Sequence, residues 1–137
     1  MTKAWTRLAC ALGLAATAVP AAAHHSLAGY DQNRPLELTG EVTEFHYTQP
    51  HPYLVIAAPG PGGGAPQPWK LEMDNLWELD AIGVTSGTFK ARDRVSVSGS
   101  PDRSGGHAMY LRRLDRASDG LRYEQIGMSP RLTVQKR

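Results

Sequence analysis

The chain has a single cysteine, Cys10, among its 137 residues, and that cysteine lies within an apolar leader. The folded part downstream can therefore contain no disulfide and no thiolate metal site, and burial alone must stabilise it. Long apolar runs are scarce as well. The leader's run, Leu8 to Val19, is about a dozen residues, too short to span a bilayer stably. Charge of one sign is also lacking. Of 15 Lys and Arg residues, Lys3 and Arg7 lie in the leader, which has no acid, and this leaves 13 basic against 13 acidic residues. A near-neutral domain without a basic stripe is a poor partner for nucleic acid. No G-x-S-x-G elbow, H-E-x-x-H helix or cysteine nucleophile follows the leader, so the chain reads as a non-enzyme. Asp74, Glu78 and Asp80 read as a capped, solvated helix face rather than a catalytic carboxylate pair.

The leader has the parts of a secretory signal: a basic start, a short apolar stretch, Pro20 as a helix breaker, and small residues at Ala21 and Ala23. Cleavage after Ala22 would put Pro20 in the specificity position, so cleavage after Ala23 is expected, with His24 becoming the first residue. Arg7 stands where a lipoprotein signal needs an aliphatic side chain, so no lipid or membrane anchor is expected after cleavage. The product would be periplasmic or secreted. The expected organisation is a signal peptide (1–23), an extended segment (24–35), a β domain (36–126) and a basic, mobile tail (127–137). Removing 23 residues from 137 leaves 114, enough for one small core.

Alternation carries the fold. Leu36, Leu38, Gly40 and Val42 fall on one face of a strand with Glu37, Thr39, Glu41 and Thr43 on the other, and Gly40 marks a bulge or a close approach. Pro50 and Pro52 turn the chain around His51. Tyr53 to Ala58 is a second strand, and Pro59 to Pro68, with its glycine run, reads as a flexible loop. Trp69 to Met73 is a third strand. Asn75 with Glu78 suggests a capping box for a short helix striped by Leu76, Leu79 and Ile82, beside which Trp77 reads as core, and Gly83 ends it. Strands follow through Val95 and Val97 and over His107 to Leu114, with an added one at Leu121 to Ile126 after the Asp119-Gly120 turn. Three strands, one helix and two strands is the order of a small five- or six-stranded OB-like barrel, all-β but for that helix, with the helix plugging one end. A sandwich of the same strands satisfies the same pattern.

His24-His25-Ser26 after the leader, Tyr30-Asp31, Gly40-Glu41-Val42-Thr43, Pro50-His51, Trp69 with Glu72, and Val95-Ser96-Val97-Ser98-Gly99 together resemble DUF6152, an exported bacterial family of unknown function. The resemblance covers nearly the whole domain and implies export without implying an activity. In that family an aromatic residue, often Trp, precedes an Asn-Pro-His run. Here Tyr47 and Thr48-Gln49 occupy that neighbourhood, and the proline-histidine turn is retained.

The histidines suggest a metal site. An N-terminal His24 could chelate copper through its amine and ring, and one further imidazole would complete a nitrogen set of the kind Cu(II) favours. His51, clamped by two prolines, is the candidate third donor, with His25 or His46 assisting. His46 has the parity of Leu38 and Val42, which would half-bury it unless the strand is bulged. Cleavage after Ala22 would instead make His25 the third residue of an amino-terminal copper and nickel motif. The plain alternative is that His24 and His25 are solvated, neutral terminal residues. From a different class comes a non-metal OB-like module of the periplasm that takes a small ligand or a protein partner on a face built from Tyr47, Tyr53 and Trp69.

Overall fold

A computed structural model describes residues 27–135. After a 3-10 turn at Leu27–Gly29, the chain forms β1 (Leu36–His46), β2 (Tyr53–Gly60), β3 (Gly63–Glu72), α1 (Leu76–Ala81), β4 (Arg94–Pro101), β5 (Ala108–Arg116), β6 (Leu121–Ile126) and β7 (Ser129–Val134). The seven strands form one sheet in the order β3-β2-β1-β4-β5-β6-β7, antiparallel apart from a short parallel pairing of β3 with β5 over Lys70–Glu72 and Ala108–Tyr110. None of the described helices is long and apolar enough to cross a membrane.

β1 serves two partners. Leu36 to Glu41 pair with β4, and Glu41 to His46 pair with β2. Gly40 sits where the strand changes partner, and a Cβ there would lie 2.4 Å from the Ala57 carbonyl oxygen and 2.8 Å from the Ala58 Cβ. Only a residue without a side chain allows that approach. An irregularity between Val42 and Glu44 shifts the register, and such a bulge reverses which residues face inward. Phe45 therefore packs on the core, meeting Phe89 edge-on at 5.1 Å, while His46 turns outward. The core is the inward row of every strand: Leu38 and Val42, Leu54, Ile56 and Ala58, Trp69 and Leu71, Val95 and Val97, Met109, Leu111 and Leu114, closed off by Leu79, Val84 and Tyr123.

The helix is built as its sequence suggests. The Asn75 side chain accepts the Glu78 amide at 3.0 Å and donates to the Glu78 carboxylate at 2.7 Å. Gly83, at φ +86°, lets the Val84 amide reach the Leu79 carbonyl at 3.0 Å and closes the C-terminal end. Trp77 departs from its expected place in the core: it is 68 % exposed. Residues one and two apart do not share a helix face, so Trp77 falls off the stripe that ends in buried Leu79.

Two segments expected to be irregular are strands. Pro59 to Pro68 belongs to a hairpin whose arms reach Gly60 and Gly63. The Lys70 amide donates to His107, just before β5, so by the two-residue period the nitrogen of Pro68 also faces away from β2 and costs that ladder nothing. The basic tail likewise contains β7, which pairs with β6 from Ser129 to Val134. The count is therefore seven strands rather than five or six.

Candidate functional site

At the end of β3 outward Lys70 and Glu72 alternate with inward Trp69 and Leu71, and Met73 and Asp74, which follow the strand, are both buried. Glu72 lies between Tyr53 on β2 and Tyr110 on β5 in the sheet register. The Tyr30 hydroxyl donates to its carboxylate at 2.9 Å, and the Tyr30 ring leans on Tyr110 with centroids 5.9 Å apart. Asp74, only 3 % exposed, accepts from the Tyr110 hydroxyl at 2.5 Å and from Tyr123 at 3.1 Å. Burial, reinforced by the adjacent carboxylates, pushes the phenols of Tyr30, Tyr110 and Tyr123 well above the usual tyrosine range, so each remains a donor. A buried carboxylate with both oxygens hydrogen-bonded avoids the cost of an unsatisfied one.

Tyr30 is one of several ties on the segment that follows the leader. Its backbone bridges Asp102, the Asp31 amide donates to Pro101 at 2.8 Å, and the Arg103 amide donates to Gly29 at 2.9 Å. Arg112 reaches the Gln32 side chain at 3.0 Å, and the Arg112 guanidinium lies over the Tyr110 ring. The lead-in is thereby held from Gly29 to Gln32, near the point where the expected cut would leave a terminus.

The same end of β3 holds the proline turn. The Met73 amide donates to Pro52 at 3.0 Å and the Leu76 amide to Pro50 at 3.4 Å, so the residues on both sides of half-buried His51 are fixed to the junction of β3 and α1. His46 stands apart on the outward face: its Nε2 lies 2.5 Å from the Glu44 carboxylate, and its ring stacks on Tyr53 at 4.3 Å and 12°. His107 is exposed and packs against Trp69 with ring centroids 4.7 Å apart. His24 and His25 lie outside the described residues. Among the described residues, no three His, Cys, Asp or Glu side chains gather as they would around a metal ion.

The three residues proposed as a ligand face do not share one. Tyr53 faces outward, flanked by His46 from β1 and by the Lys70 ammonium, 4.5 Å from its ring. Trp69 has the opposite parity and is 95 % buried. Tyr47 ties β1 to the helix region: its hydroxyl donates to Asp80 and, at 2.8 Å, to the Val84 carbonyl, and burial together with Asp80 pushes it up to about 12. Asp74, expected on a solvated helix face, is instead buried between two phenols, because it accepts from Tyr110 and Tyr123. The alternation of β3 placed Glu72 and Asp74 on one outward row, but their partners lie 36 to 49 residues away, beyond any local pattern.

Comparison with curated proteins and with solved structures gave no match. A model described as a family of unknown function, DUF6152, matches residues 11–110, the greater part of the chain, and the protein is therefore a member of DUF6152.

Proposed function

We propose that the protein is exported, loses residues 1–23, and binds copper between the amine and ring of His24 and the ring of His51, in a binding or delivery role in the periplasm. The scaffold would be a small OB-type barrel. In support, the pairings run from β1 to β2, β3, β5, β4 and back to β1, the circuit of that fold, with α1 between the third and fourth strands. One observation carries the metal reading: the short stretch Glu72 to Leu76 holds both parts of the site. Glu72 takes Tyr30 of the lead-in, while Met73 and Leu76 take the carbonyls on either side of His51. His24 is six residues from Tyr30, and six extended residues reach at most about 20 Å. Anchoring of the lead-in at Tyr30 limits how far a processed terminus can stray, and such restriction would lower the ordering cost of binding.

Intact mass of the exported protein should begin at His24. Copper titration of that protein should show one tight site that His51→Ala weakens beyond the roughly 10–100-fold cost of losing a supporting partner. Equal, weak uptake by both proteins would end the proposal. A second reading, a non-metal module of the periplasm, draws on the outward cluster of His46, Tyr53 and Lys70. Both flanks of that tyrosine are already occupied, which favours the first reading.

A further inference from the structure

We infer that the open edge of β7 pairs with β7 of a second copy of this chain, forming a two-fold dimer by sheet extension. The orientation of the β7 backbone follows from two observations. Gln135, continuing the strand, donates its amide to Gly120 at 3.0 Å, so Ser129, Arg131, Thr133 and Gln135 direct their polar backbone groups at the β6 side. Pro130, with no amide proton, takes the alternate set, and Pro130, Leu132 and Val134 turn theirs to the open edge.

That edge is complementary to itself. Antiparallel pairing of Leu132 with Leu132 of the second copy sets Pro130 opposite Val134. The two Leu132 residues exchange both bonds, and each Val134 amide donates to a Pro130 carbonyl, so only the return bond from Pro130 to each Val134 carbonyl is missing. On the outer face Arg131 meets Thr133, and no like charges stand directly opposite. The other face carries Pro130, Leu132 and Val134, the cross-strand partners of Gln125, Tyr123 and Leu121, so a second copy would continue the apolar row and cover Val134. All four large hydrophobic residues exposed among the described residues, Trp77, Ile126, Met128 and Val134, belong to α1 or to the β6–β7 hairpin and strand. The opposite edge does not offer this, because Pro68 removes an outward donor there and a second proline, Pro66, follows two positions along the edge. β6 and β7 lie beyond residues 11–110, which the family model matches. It is independent of the copper reading.

The test is the mass in solution of the mature protein, by light scattering or sedimentation, at concentrations up to about 100 µM. A dimer is expected. Leu132→Pro removes the central outward donor and leaves every bond to β6, so it should give a folded monomer. Because that variant also trims the core, the charge register provides a second reading at an exposed site: Thr133→Glu, facing Arg131 of the second copy, should tighten the dimer, and Thr133→Arg should loosen it about tenfold. A monomeric wild type, or a dimer indifferent to both Thr133 variants, would overturn the inference.

Discussion

The two alternating rows of the six residues from Trp69 to Asp74, at the end of β3, are put to different uses. On the inward side Trp69, Leu71 and Met73 are at most 5 % exposed and belong to the hydrophobic core. On the outward side Lys70, Glu72 and Asp74 bind tyrosines, one from the lead-in and others from β2, β5 and β6. The inward row holds the domain together through area removed from water, and the outward row decides what is fastened to it. The polar row is thus the one that gathers the tyrosines, while the tryptophan contributes to the core.

The largest test of this contrast is Leu71→Ala. Leu71 is completely buried, and the truncation should cost about 3 to 4 kcal/mol in urea unfolding. Asp74→Asn should cost less, about 2 kcal/mol by the same measurement, because one phenol then faces an amide that cannot accept its proton. A cost as large as that of Leu71→Ala would erase the distinction between the rows. Tyr30→Phe should be the mildest, about 1 kcal/mol or less of global stability. Its effect should instead be local, with faster hydrogen exchange at the amides of Asp31 and Arg103 that hold the lead-in. Unchanged exchange there would mean that the Tyr30 hydroxyl fastens nothing.

The alternation of β1, the cap at Asn75 and the stop at Gly83 were legible because each depends on neighbours within a few residues. Strand β3 before Trp69 and strand β7 were hidden by their prolines. Their composition suggests loops, yet a proline whose nitrogen faces an open edge breaks no ladder, and which edge is open depends on register. Of the candidate residues, the proline-flanked His51 could be picked out from sequence. The outward turn of His46 required the bulge after Val42, and the opposite facing of Tyr53 and Trp69 required the pairing of β2 with β3. The Asp74 cluster was out of reach, since its phenols come from β5 and β6.

Among the described residues, Trp77 on the helix surface and Trp69 beneath His107 place two indoles in opposed surroundings. A water-soluble quencher should darken the long-wavelength fluorescence of the first and spare the shorter-wavelength emission of the second. Light from one chain would then report separately on its surface and on its interior, without any attached dye.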